Sequence, residues 1–348
     1  MTAGPLGAWV AADFELVADL DDLMATGVTV ADSGRVFISV PRWGDPVPYT
    51  VAEIIDGKPT PYPSQQVNDE LLVSVQSVVV APDGHLWALD TGSLAWAPWV
   101  EGGPKLVEID LDNNTVLRVI RPSTDALTPT SYLNDVRFDL SRGVAGYAYV
   151  TDSQAEGALI VIDLATGDSW AKLRGHASTH AEDGFRAIVQ GVVHEGYTVG
   201  ADGIAFNSTG DRLYYCALSS RRLYSVPTAA LIDRELGDDK VAEQIVDHGD
   251  KGASDGIESD ASGNLYVTAY EHSAVLRLAA DGSWSTVLHA PGALWPDTLS
   301  LAADGHLYVS LNQLPRAPLF NGNADDRIPP YQIVRVPVGA TPIRLRNS

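Results

Sequence analysis

The sequence predicts an all-β fold, a six-bladed β-propeller with a central channel, on three observations. A strand, turn and strand unit recurs six times along the 348 residues; its copies are spaced like propeller blades; and no stretch sustains helical periodicity. The unit opens on a polar residue, runs through a short alternating strand and meets a glycine eight positions later. Five copies read TGVTVADSG from Thr26, QSVVVAPDG from Gln76, DGIAFNSTG from Asp202, DGIESDASG from Asp255 and DTLSLAADG from Asp297. Gly34, Gly84, Gly210, Gly263 and Gly305 supply the positive φ of a tight turn. Returning strands follow as RVFISV, HLWALD, DRLYYCAL, NLYVTAY and HLYVSL. The sixth copy, NDVRFDLSRG from Asn134, resumes at GYAYVTDS after a longer turn. Several units continue into a third apolar run, as in GALIVIDLATGDSW and RRLYSVPTAAL. The anchors at 26, 76, 134, 202, 255 and 297 lie 42 to 68 residues apart, which suits three or four strands per blade. Residues 1–348 are expected to form one propeller domain. Either QIVRVPV or TPIRLRN near the C-terminus is expected to join FELVADL near the N-terminus in the closing blade.

Composition narrows the function. With 45% hydrophobic residues, 31 Gly and 21 Pro, the chain can bury a core and join many short strands. A formal charge of -22 repels phosphate backbones and anionic membrane surfaces, so neither nucleic acid nor membrane is an expected partner. The opening MTAGPLGAWVAADFELV lacks a basic region followed by an apolar core, and no 18 consecutive residues are apolar, which points to the cytoplasm. Cys216, the only cysteine, permits no intramolecular disulfide; in LYYCALS it reads as a small buried hydrophobe. A closed propeller has no sheet edge that demands a partner, so a monomer is expected. No nucleophilic serine motif, phosphate loop or dinucleotide fingerprint occurs in a suitable context, and no nucleotide or redox cofactor is expected.

The chain also resembles a known family. LNDVRFDLSRGVAGYAYVTDSQAEGALIVIDLATGDSW, GADGIAFNSTGDRLYYCALSSRRLYSVPTAAL, GDKGASDGIESDASGNLYVTAYEHSAVLRL and WPDTLSLAADGHLYVSLNQL, with LWALDTG before them, are similar to the major royal jelly and insect yellow proteins over roughly residues 71–340. The resemblance implies a six-bladed propeller, more distantly related to gluconolactonase and regucalcin-like proteins and to paraoxonases. It also implies a bacterial, intracellular branch, because the secreted insect members carry disulfides and signal peptides.

In a propeller the first strand of each blade lines the axis, so Thr26, Gln76, Asn134, Asp202, Asp255 and Asp297 are expected to converge at the channel mouth. Three carboxylates so placed raise one another's pKa unless a cation or protons compensate them. Oxygen-only ligands suit a hard ion, Ca²⁺ before Zn²⁺. The lactonase relatives hold a divalent cation with a glutamate, two asparagines and an aspartate. Asn134 in LNDV and Asp255 in SDGI match two of these; Asp202 stands where those enzymes have asparagine, and Thr26 where they have glutamate. Asn134, Asp202 and Asp255 are therefore the candidate metal ligands.

Three long segments, 41–70, 174–198 and 315–330, read as inter-blade loops able to carry binding residues. His180 is the candidate base beside Asp255 and Asp297, with His176 and His272 as candidate ligand contacts. Trp96 and Trp99 in SLAWAPWV are candidate pocket walls. Trp43, Trp87, Trp170, Trp284 and Trp295 are assigned to packing between blades. Three functions follow: a metal-assisted hydrolase of a lactone or cyclic ester, a metal-independent isomerase or tautomerase of the kind the yellow resemblance implies, and a binder of small amines or aromatics.

Overall fold

A computed structural model describes residues 14–347. Within them the repeats become six four-stranded antiparallel sheets. Blade 1 comprises Gly27–Val30, Val36–Ser39, Val51–Ile55 and Lys58–Pro61. Blade 2 comprises Val75–Val80, Leu86–Asp90, Lys105–Asp110 and Thr115–Ile120. Blade 3 runs through Leu133–Asp139, Tyr147–Asp152, Ala158–Asp163 and Ser169–Lys172. Blade 4 takes Ala201–Phe206, Arg212–Ala217, Arg222–Pro227 and Val246–Asp250. Blade 5 takes Ile257–Ser259, Leu265–Ala269, Ala274–Leu278 and Trp284–His289. Blade 6 is built from both ends of the described chain: Pro296–Leu301, His306–Leu311 and Gln332–Pro337, completed by Glu15–Asp19. QIVRVPV is thus the segment that pairs with the N-terminal strand, with Glu15 opposite Arg335 and Asp19 opposite Gln332.

The core lies mainly between neighbouring sheets. Trp87 of blade 2 packs on Phe138 of blade 3 with ring centroids 5.1 Å apart, and Tyr149 of blade 3 meets Phe206 of blade 4 edge-on at 5.3 Å. Cys216 is buried among Ala205, Leu223, Ile257 and Val267, between blades 4 and 5. Inner strands are also tied to their neighbours by hydroxyls that reach the next blade's backbone. Thr151 Oγ1 donates to the Asp202 carbonyl (2.7 Å), Ser39 Oγ to that of Gln76 (2.8 Å), and Ser310 Oγ to that of Thr26 (2.6 Å).

The long segments depart from their expected form. Residues 41–70 are more than a loop: they contain the two outer strands of blade 1, turned through Asp56 and Gly57 at positive φ, and a short helix, Gln65–Glu70. The outermost strand, KPTP, has no β-rich composition of its own, and its pairing with the strand before it imposes the conformation. Residues 174–198 carry a hairpin, Ala187–Val189 with Val192–His194. Only 315–330 is irregular, with single-turn 3-10 helices at Leu314–Arg316 and Pro318–Phe320.

TPIRLRN makes no blade strand. It forms a strap across the far mouth of the channel, bridging Asp260 through Pro342 and Leu140 through Arg346. Arg344 bonds Asp32 and Arg346 donates to the Pro82 carbonyl (3.0 Å). Beneath the strap a cavity of about 80 Å³ is lined by the lower ends of all six inner strands. Among the described residues no helix is long and apolar enough to cross a membrane. The expectation about the N-terminal leader falls largely on residues 1–13, which lie outside the described residues.

Candidate functional site

At the near mouth, the inner strands begin with an irregularity that the repeat pattern does not announce. The pairing register shifts between Val75 and Ser77, Leu133 and Val136, Ala201 and Ile204, and Pro296 and Leu299. Each is a bulge at an anchor, and a bulge redirects a side chain that regular pleating would place on a sheet face. Gln76, Asn134, Asp202 and Asp297 sit on these bulges, and Asp255 opens blade 5 beside them. All five line one small cavity, with about 20 Å³ of free space.

The floor of this cavity is acidic and buried. Burial holds the Asp202 carboxyl well above the ordinary range, with the charges of Asp255 and Asp297 adding to the effect. Burial likewise raises Asp297, and the nearby Asp255 raises it further, against hydrogen bonds from Thr298 and Asn312. Asp255 is pushed up to about 6 by burial, opposed by the hydrogen bond from the Trp295 indole. The Trp295 N–H donates to Asp255 at 2.7 Å, Ser153 Oγ donates to Asp202 at 3.2 Å, and the Asn312 amide donates to Asp297. Among the described residues no lysine or arginine lines the cavity.

The roof is aromatic. Trp96 stacks on Tyr132 at 4.0 Å, and Trp295 stacks on Tyr270 at 4.0 Å. Phe320 meets Trp43, Trp96 and Tyr197 edge-on at 5.5, 6.1 and 6.2 Å. Tyr132 ties roof to floor: it receives the Trp43 N–H at 2.7 Å and donates its hydroxyl to Gln76 Oε1 at 2.8 Å. Two roof donors, Trp96 Nε1 and Tyr197 Oη, are buried without a hydrogen-bond partner although both residues line the cavity. Such groups are costly unless a ligand or water satisfies them.

Other expected site residues lie elsewhere. Thr26 is fully buried and outside the cavity lining, because its short side chain turns to the neighbouring blade and donates to the Gln76 carbonyl at 2.8 Å. His176 Nδ1 is engaged by Ser178 (2.8 Å), and His180 Nδ1 by the Ala181 carbonyl, so the 174–198 segment contributes neither histidine to the lining. His272 is exposed at the end of a 3-10 turn. Trp99 pins its loop by donating to the Thr128 carbonyl at 2.7 Å. Trp43 and Trp295, assigned to packing, do belong to a buried apolar cluster; in addition Trp43 lines the cavity and Trp295 donates to Asp255. Trp43, Tyr197 and Phe320 come one from each of the three long segments; segment length was the readable signal, and the residue within each segment was not.

Fold and site together define a six-bladed propeller with a desolvated acidic pocket at one mouth of its channel. The family model of the major royal jelly proteins matches residues 73–316. The chain belongs to that family. It is 28% identical over 225 residues to a yellow-related salivary protein of Phlebotomus argentipes, covering 58% of this chain and 54% of that protein. Against the protein yellow of Drosophila melanogaster it is 28% identical over 227 residues, 59% of this chain and 41% of that one. The chain thus spans about half the length, or less, of these relatives. Among solved structures it is similar to a luciferin-regenerating enzyme (TM-score 0.62, 12% identity, 97% of this chain and 100% of that one). It is also similar to a gluconolactonase of Xanthomonas campestris (0.55, 13%, 97% and 93%) and to the calcium-binding protein regucalcin of Agrobacterium tumefaciens (0.54, 14%, 96% and 98%). At these identities the structural likeness establishes the fold.

Proposed function

We propose that this protein is a small-molecule hydrolase that opens a lactone or related cyclic ester at the channel mouth, with a divalent cation, Ca²⁺ first, held by Asn134, Asp202 and Asp255. One observation carries the reading: three buried carboxyls and two amides converge on an ion-sized cavity whose lining includes no basic side chain among the described residues. Such a set needs protons or a cation to balance it, and its all-oxygen donors fit Ca²⁺. The gluconolactonase and calcium-binding neighbours support the same direction.

When bound, the cation supplies Lewis-acid polarisation of a carbonyl and of water. The chain's own residues supply the rest. The Trp295 indole fixes Asp255, and the Asn312 amide fixes Asp297. Asp297 takes a proton from water as its oxygen attacks the carbonyl carbon. The ring C–O bond breaks, and that proton passes to the departing alkoxide, giving the hydroxy acid. Trp96 N–H and Tyr197 O–H, both unpartnered, face an acceptor-bearing substrate, while the aromatic roof excludes bulk water. His180, engaged outside the cavity, has no part in this scheme.

The Asp202 carboxyl, held up by burial and by the nearby Asp255 charge, favours a second reading, a metal-free isomerase or tautomerase in which these carboxyls shuttle one proton. The acidic floor beneath aromatic walls would likewise suit a binder of small amines. Thermal unfolding of metal-stripped protein separates these readings. A native-state site stabilises by mass action, so Ca²⁺ should raise the transition, Mg²⁺ should raise it less, and Asp255→Asn should abolish both the shift and lactone turnover. No shift with either ion sets the hydrolase aside in favour of the proton shuttle or the binder.

A further inference from the structure

The site as folded cannot admit an organic ring. Its free space, about 20 Å³, holds a water or an ion. A second cavity, of about 150 Å³, lies on the other side of the roof against Met24, Asp45, Leu319 and Arg327. Trp43 and Phe320 line both spaces and so form the wall between them. The two are held differently. Trp43 is buried and its N–H is bonded to Tyr132. Phe320 is only partly buried, ends a single 3-10 turn and is held by edge-on aromatic contacts. Its loop is fastened at the rim by Arg327, which bonds Asp45 at 2.6 and 2.9 Å, and by Arg316, which bonds Gln190 at 2.7 Å.

We infer that Phe320 is the door to the site: its ring swings out, the outer cavity becomes the entry vestibule, and the two spaces join in one chamber reaching the carboxyls. The chamber sets the substrate class. Its parts, about 20 and 150 Å³, together fall below the roughly 300–1,000 Å³ of pockets for drug-sized ligands. It therefore takes a small ring carrying a hydrogen-bond acceptor for Trp96 and Tyr197, and rejects rigid polycyclic substrates of drug size. The size limit rests on the hydrolase reading; the door does not.

Acrylamide quenching of tryptophan fluorescence tests the door without any substrate, because Trp43 and Trp96 line the inner chamber and Trp295 lies behind its Asp255. With the door shut, quenching of these indoles waits on local opening, so Phe320→Ala should raise the quenching slope about twofold and Phe320→Leu by less. Arg327→Gln, which loosens the loop and leaves the ring in place, should also raise it. An unchanged slope in Phe320→Ala with an unchanged melting transition overturns the door; should that variant fail to fold, an unchanged slope in Arg327→Gln does so. Separately, steady-state hydrolysis of a five-membered lactone and of a rigid polycyclic lactone of drug size reads the size limit. Turnover of the small ring alone by wild type supports it; equal turnover of both by wild type overturns it. Failure to hydrolyse either, with quenching as expected, sinks the hydrolase and its size limit but keeps the door.

Discussion

Burial pushes the Asp255 carboxyl up to about 6, so the folded protein binds this proton more tightly than the unfolded chain does. A group raised in this way contributes stability that is complete below its unfolded value, near 3.9, and is lost as the pH climbs through the folded one. In chelator-treated protein the melting temperature should therefore fall between about pH 4 and 7, more steeply than in Asp255→Asn, and Ca²⁺ should flatten the profile by replacing the protons. Calorimetry at stepped pH checks this; parallel profiles for the two proteins would contradict it. Tyr132→Phe strips the acceptor of the Trp43 N–H and the donor to Gln76, and should cost about 1–3 kcal/mol in urea unfolding. The contrast between these residues shows what could be read in advance. Asp202, Asp255 and Asp297 were visible because the repeat sets a polar residue at the same place in each unit, and in three units that residue is an aspartate. Tyr132 and Trp295 were not, because their roles depend on partners 89 and 40 residues away on other blades.

At the level of strands, two of the anchors, Asp202 and Asp255, work through the glycine that follows them. A Cβ added at Gly256 would lie 2.4 Å from the Asp297 carbonyl oxygen, and one at Gly203 would lie 2.3 Å from that of Asp255. The Gly256 N–H donates to that same Asp297 carbonyl at 2.9 Å. The Asp-Gly pair thus combines a carboxyl aimed at the axis with a backbone thin enough for the next inner strand to press against it. Gly256→Ala should destabilise by about 1–3 kcal/mol or more by overpacking. Gly292→Ala, where a Cβ meets nothing within 4 Å, should be near neutral, and denaturant midpoints of the two compare them directly. The recurrence of Asp-Gly was legible in the sequence, but the reason for the glycine was not, since a motif cannot show which backbone faces it. The bulges at the other anchors were hidden for the same reason: a register shift belongs to a pair of strands, and the inner strand alone reads as ordinary alternation.

For the molecule as a whole, closure depends on strand Glu15–Asp19 completing the sixth sheet from the other end of the chain, with Arg335 bonded to Glu15 at 2.9 Å. Deleting residues 1–19 should leave Gln332–Pro337 as a bare edge, lower the melting temperature and promote association, as calorimetry and light scattering would report. Closure was legible as a need to join the chain ends, and the choice between two C-terminal segments was settled only by the other segment's place in the strap. That strap has its own consequence. It crosses the far mouth, over the lower cavity, on the side away from the acidic pocket. The passage proposed at Phe320 would then serve both arrival and departure, so incoming and outgoing molecules would compete for one doorway, and a product that lingers there would block the traffic in both directions.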